Sequence, residues 1–190
     1  MLSYNEITPK KYIVLEGEPY EVLTSHVFRK QQRKPVNATK LKNLITGGVM
    51  EHSFKVSDKV EEAEIETEEV KYIYTSRGKS VFCEKNNPSK RFEIEENIVG
   101  SSTRFMKQNI IVELVSFEDR LIGVKLPIKV ELKVKEAPPN LKGNTAQGGV
   151  KTVTLETGAQ LNVPMFINQG DVIRVNTETG QYVERVQAET

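Results

Sequence analysis

The sequence predicts an all-β protein, and three observations predict it. Apolar residues recur with a period of two, the periodic runs are short, and turn-forming residues separate them. The clearest run sets Ile128, Val130, Leu132 and Val134 against Lys129, Glu131, Lys133 and Lys135, the pattern of a half-buried strand. Nearer the N-terminus, Tyr12-Ile13-Val14-Leu15, then Gly17-Glu18-Pro19, then Tyr20-Glu21-Val22-Leu23 reads as a hairpin. Similar pairs of runs flank Ser76-Arg77-Gly78-Lys79, Phe117-Glu118-Asp119-Arg120 and Thr177-Glu178-Thr179-Gly180. The clearest helical candidate, Glu95 to Met106, carries Gly100-Ser101-Ser102 in its middle, which weakens it. Many short strands joined by turns point to small barrels or sandwiches.

Two shifts in composition divide the chain. The acidic stretch Glu61 to Glu69 separates a basic first unit from a second that opens with Val70-Lys71-Tyr72-Ile73-Tyr74. A second break falls near Leu126-Pro127-Ile128, and Pro138-Pro139-Asn140 with the segment Gly143 to Gly149 reads as a long loop inside the last unit. Three units of roughly 60 residues result, at the small end for independent cores. No internal repeat is evident among them.

Composition excludes several classes. The longest apolar runs, such as Ile110-Ile111-Val112, fall far short of the ~20 residues that span a bilayer, so no membrane role is expected. The start, Met1-Leu2-Ser3-Tyr4-Asn5-Glu6, lacks the basic and apolar regions of a signal peptide, and the expected compartment is the cytoplasm. Cys83 is the single cysteine, which rules out an intramolecular disulfide and thiolate zinc sites. Asn37-Ala38-Thr39 fits a glycosylation sequon and is read as a chance match. His26 and His52 are the only histidines, no spacing links them to Cys83, and Gly148-Gly149 lacks the lysine and hydroxyl of a phosphate-binding loop. No enzyme, metal or cofactor is expected.

The net charge of +1 conceals segregation. Between Glu21 and Glu51 there is no acid, while Arg29, Lys30, Arg33, Lys34, Lys40 and Lys42 are basic; the next stretch reverses sign. Such polarity suits one face to a polyanion, and two merely solvated faces are the alternative. Within the basic run, Arg29-Lys30-Gln31-Gln32-Arg33-Lys34-Pro35 lies between strands ending at Phe28 and starting at Val36. Its cations repel one another unless an anion such as RNA phosphate is bound, and a solvated hairpin tip is the competing reading.

The C-terminal third is more specific. It runs from Lys142-Gly143-Asn144-Thr145-Ala146-Gln147-Gly148-Gly149 through Leu161-Asn162-Val163-Pro164-Met165-Phe166-Ile167 to Gly180-Gln181-Tyr182-Val183-Glu184-Arg185-Val186. These residues resemble the third domain of the bacterial elongation factor P family. Lys40-Leu41-Lys42-Asn43-Leu44-Ile45-Thr46-Gly47 is similar to the strand that follows the functional loop in the same family. The resemblance implies an SH3-like (KOW-type) first domain over residues 1–64, an OB-type domain over 65–128 and a second OB-type domain over 129–190. It implies a non-enzymatic monomer that binds the 70S ribosome between the P and E sites. There it relieves stalling at consecutive prolines by ordering the P-site transfer RNA, which is catalysis by positioning. Tyr182 and Arg185 match the family residues that contact transfer RNA, a role that suits an aromatic face and a guanidinium. The family's Gly-Asp-Thr loop toward messenger RNA appears as Gly143-Asn144-Thr145, without its acid.

One departure stands out. The family's tip usually reads Pro-Gly-Lys-Gly with a modified lysine, or carries a modified arginine. Here Gln32 holds that position, with neither Gly nor Pro beside it. Either Gln32 acts unmodified with Lys30, Arg33 and Lys34 on the RNA backbone, or a neighbouring lysine is modified; the fixed charges favour the first. An elongation-factor-P-like paralogue, or another RNA-binding adaptor, is the alternative function. The hypusine-bearing archaeal and eukaryotic factor lacks a third domain, and residues 129–190 argue against it.

Overall fold

The structure is a computed structural model, and it describes residues 1–29, 34–139 and 149–186. The described residues form three sheets. The first contains β1 (Leu2–Ser3), β2 (Tyr12–Leu15), β3 (Glu18–Phe28), β4 (Val36–Asn43), β5 (Val49–Lys55) and β6 (Lys59–Glu62), in the order β1-β6-β2-β3-β4-β5. The second contains β7 (Ile65–Ser76), β8 (Lys79–Glu84), β9 (Asn87–Glu95), β10 (Ile111–Phe117) and β11 (Arg120–Lys125), in the order β11-β10-β7-β8-β9. The third contains β12 (Lys129–Glu136), β13 (Val150–Leu155), β14 (Gln160–Pro164), β15 (Val172–Asn176) and β16 (Gln181–Arg185), in the order β14-β13-β12-β15-β16. Counted from its own first strand, each of the last two sheets runs third-second-first-fourth-fifth. In the third sheet β14 also approaches β16, which curls the sheet toward a five-stranded barrel of OB type. The two sheets thus repeat one topology that their sequences do not display.

The expected hairpins are present, with one adjustment. The first turns at Glu16-Gly17, both at positive φ (54° and 81°), while Glu18 and Pro19 already belong to β3. Arg77-Gly78 and Glu118-Asp119 likewise have both φ values positive, the conformation whose twist matches that of the flanking strands. The Thr177–Gly180 connection is built differently. Asn176 Oδ1 accepts from the N–H groups of Glu178 and Thr179 (2.9 and 3.0 Å), and Gly180, at φ 65°, donates to the Asn176 carbonyl. Asn43 repeats this arrangement with Ile45, Thr46 and Gly47.

Two readings change. Ile128 lies outside β12 and is 54% exposed, so the alternation begins at Val130. The helical segment is one α-turn, Glu96–Val99, followed by a 3-10 segment, Gly100–Phe105, because Gly100 takes φ 60° and breaks the ladder between them. Asn37 of the apparent sequon is fully buried, which removes it as a glycan acceptor, and Cys83 is fully buried on β8.

By compactness the chain groups into two units: Met1–Glu68 with Val115–Gly123, and Glu69–Leu114 with Val124–Thr190. In the first, Leu2, Ile7, Ile13, Val22, Leu41 and Phe54 form a core. Ala63, Phe117 and Ile122 form a second cluster against Tyr12, Val14 and Leu44. That cluster explains why the tip of the β10–β11 hairpin counts with the first unit. In the second unit, Val130, Leu132 and Val134 are buried along one face of β12, as their period of two requires. There the 3-10 segment is tied to the third sheet. Arg104 Nη2 donates to the Gln160 carbonyl (2.8 Å), and the Thr157 hydroxyl donates to the Arg104 carbonyl (2.9 Å). No helix among the described residues is long and apolar enough to cross a membrane.

Candidate nucleic-acid interface

The basic segment sits at the end of the β3–β4 hairpin. Strand β3 stops contributing to the core at Val22. Leu23 bulges out of the ladder, and no residue from Leu23 to Phe28 is buried. The ladder continues to Phe28↔Val36, with His26 and Phe28 stacked on one face (ring centroids 6.0 Å apart). Arg29 and Lys34 follow directly, both exposed; Lys30, Gln31, Gln32 and Arg33 lie outside the described residues. Beside the hairpin end, Lys34, Pro35 and Val36 line a cleft of about 390 Å³ with Lys55, Val56 and Ser57, two lysines and no carboxylate. At its margin the Lys55 backbone N–H donates to Asp58 Oδ2 (2.8 Å), and that bond holds the Asp58 carboxyl below the usual aspartate range.

Register changes the reading of the charge run. Lys40 lies directly opposite Glu51, and Lys42 directly opposite Glu21. The stretch that is acid-free in sequence is therefore balanced across the ladder in its stem. Arg29 and Lys34, the described basic residues of the tip, lie beyond the last β3–β4 pair.

Tyr182 and Arg185 both lie on β16. Three residues apart, they would face opposite sides of a regular strand. The register instead runs Ile173↔Arg185, Arg174↔Glu184 and Val175↔Tyr182, so Val183 is an extra residue in the ladder. This bulge turns Tyr182 and Arg185 to one side, shared with Ile173 and Val175. Tyr182 is half-buried; the Arg185 side chain is 44% exposed. Its guanidinium lies over the Phe166 ring, 5.7 Å from the centroid, with Nη1 3.8 Å from Asp171 Oδ2. Phe166 and Asp171 are the residues that sequence reasoning missed. Both fall in the irregular turn between β14 and β15, where no period links them to β16.

On the opposite face Arg174 has a different environment. It donates through Nη2 to Glu131 (2.7 Å) and through Nη1 to Glu184. The hydrogen bonds to Glu131 and then Glu184 raise its pKa above the ordinary arginine value, and both of its partners are carboxylates. Gly143, Asn144 and Thr145 lie outside the described residues. At the base of their segment, Lys151 Nζ donates to the Pro138 carbonyl (3.3 Å). Among the described residues no cluster of His, Cys, Asp and Glu could hold a metal ion.

Comparison with known proteins bears on both ends of the chain. Residues 3–60 match the elongation factor P (EF-P) KOW-like domain, and residues 130–185 match the elongation factor P C-terminal domain. A protein named elongation factor P from Carboxydothermus hydrogenoformans is 38% identical over 186 residues, covering 98% of this chain and 100% of the relative. Another of that name from Symbiobacterium thermophilum is 38% identical over 185 residues, covering 97% and 100%.

The chain belongs to the elongation factor P family.

Elongation factor P relatives also include one from Natranaerobius thermophilus, 34% identical over 189 residues and covering all of both chains. Family membership makes the protein a translation elongation factor that works with the ribosome. It also agrees with the all-β fold of small barrels and with a KOW-like first sheet.

Proposed function

We propose that the protein binds the 70S ribosome between the P and E sites as a cytoplasmic monomer. There it stimulates peptide-bond formation at polyproline stalls by positioning P-site transfer RNA. The observation that carries this reading is the β3–β4 hairpin, in which Lys42 and Lys40 lie opposite Glu21 and Glu51 along the stem, and Arg29 and Lys34 flank the last ladder pair. A charge-balanced stem that leads into a run of basic residues suits a device that reaches toward RNA and orders it. Arg29, Lys30, Arg33 and Lys34 hold the RNA backbone in this reading, and Gln32 acts unmodified at the tip through its amide. Tyr182 and Arg185, brought to one face by the Val183 bulge, contact the transfer RNA, and Gly143-Asn144-Thr145 lies toward messenger RNA. The sheets serve as three domains divided near residues 64 and 128, where β6 gives way to β7 and β11 to β12. The protein performs no chemistry of its own and needs no cofactor.

The test is a Pro-Pro-Pro reporter translated in a reconstituted bacterial system with unmodified recombinant protein or its Gln32→Ala variant. Relief by wild type and not by the variant supports the reading. No relief by the unmodified wild-type protein removes the claim that it acts without modification.

A further inference from the structure

We propose that Phe166 and Asp171 are positioning residues for Arg185, fixing its guanidinium plane before RNA arrives so that both outward N–H groups meet one phosphate. The functional half of this proposal rests on the reading of Arg185 as a transfer-RNA contact; the geometric half does not.

Three observations carry it. First, Phe166 is a large aromatic that is 55% exposed, yet its turn is firmly anchored. Ile167 beside it is fully buried, the Asn168 amide donates to the Phe166 carbonyl (3.2 Å), and Gly170 and Asp171 exchange backbone hydrogen bonds with Val134. The ring is held at the surface by a rigid turn, and what covers part of it is the Arg185 guanidinium. Second, Asp171 is itself fixed, because its Oδ2 accepts the Asn168 N–H at 2.8 Å. At 3.8 Å from Arg185 Nη1, that oxygen attracts the cation without consuming its donors, being beyond hydrogen-bond range. Third, Arg174 supplies the contrast within one strand pair. Its guanidinium is engaged by two carboxylates, whereas Arg185 is oriented by a π face and a distant charge. A guanidinium oriented yet unsaturated is what two-pronged phosphate recognition requires. Ordering a long side chain in advance also removes an entropic cost from binding.

The test compares Phe166→Leu, which keeps bulk and loses the π face, with Phe166→Tyr, which keeps both. Arg185→Ala and the Phe166→Leu/Arg185→Ala double variant complete the set, all in the full chain, with melting curves to confirm folding. In the free protein, the Arg185 Nε–H resonance is followed by NMR. Phe166→Leu is expected to shift it toward the solvent-exposed position and speed its exchange, and Phe166→Tyr to leave it in place. An unchanged resonance in Phe166→Leu overturns the proposal. Binding to 70S ribosomes carrying P-site transfer RNA is measured in parallel. Phe166→Leu is expected to weaken it about threefold to fivefold, Phe166→Tyr less than about twofold. The double variant should then bind no worse than Arg185→Ala alone. Losses that add in the double variant overturn coupling between the two residues. If Arg185→Ala binds as tightly as wild type, the transfer-RNA reading of Arg185 falls, and the NMR result still decides whether Phe166 orients it.

Discussion

Asn37 offers the sharpest test of how the loop-bearing hairpin is held. It is fully buried on β4, immediately after the loop, and its Nδ2 donates to the carbonyls of Tyr4 (2.6 Å) and Ile7 (2.9 Å). It thereby ties the N-terminal segment to the strand that carries the hairpin. Asn37→Ala leaves both carbonyls without that donor, at about 1–3 kcal/mol for each one that water cannot reach. Ile7 is fully buried and bears most of this, while Tyr4 is partly accessible. Loss of the buried Oδ1, which has no partner among the described residues, offsets about 1 kcal/mol. A net loss of about 2–3 kcal/mol follows, read as a melting temperature lowered by roughly 10 °C or more if the first unit unfolds on its own. Asn37→Asp adds a signature. Its carboxylate would face two carbonyl oxygens with nothing to donate, so burial raises its folded pKa above the unfolded value. The folded form then binds more protons, and the penalty is full at neutral pH and shrinks as pH falls through the raised folded value. Calorimetry at pH 7 and pH 5, each against wild type, measures both effects. A cost below about 0.5 kcal/mol for Asn37→Ala, or a pH-independent cost for Asn37→Asp, would refute this account.

Three further outcomes are expected. The Glu118-Asp119 turn uses two positive-φ residues without glycine, so Glu118→Asn with Asp119→Gly should stabilise by about 1 kcal/mol, measured by urea unfolding. Gly180→Ala should cost about 1 kcal/mol because Gly180 sits at φ 65°, whereas Gly123→Ala, at ordinary φ and in open space, should change stability by less than about 0.5 kcal/mol. The Glu6 carboxyl accepts from the Ser3 hydroxyl and the Ser3 N–H, which hold its pKa below the usual glutamate value. Its depressed folded pKa contributes stability that is present above the unfolded value and lost as pH falls through the folded one. Ser3→Ala should raise the Glu6 midpoint in an NMR titration, and an unmoved midpoint would assign the shift elsewhere.

The all-β class and most turns were legible in the sequence because they depend on neighbours. A period of two along β12, or a turn at Arg77-Gly78, is set within a few residues by sterics and pleat. The family resemblance was legible too, since Tyr182, Arg185 and the Lys40-to-Gly47 segment are contiguous patterns. What sequence could not supply depends on register between strands. The bulge at Val183, which brings Tyr182 and Arg185 to one side, exists only once β16 pairs with β15. The placing of Glu21 and Glu51 against Lys42 and Lys40, which balances the charge of the stem, exists only once β3, β4 and β5 align. Phe166 meets Arg185 across a turn that no local period predicts. Local chemistry determined which strands form, and long-range pairing decided which side chains share a face, because a one-residue offset reverses every side chain that follows it.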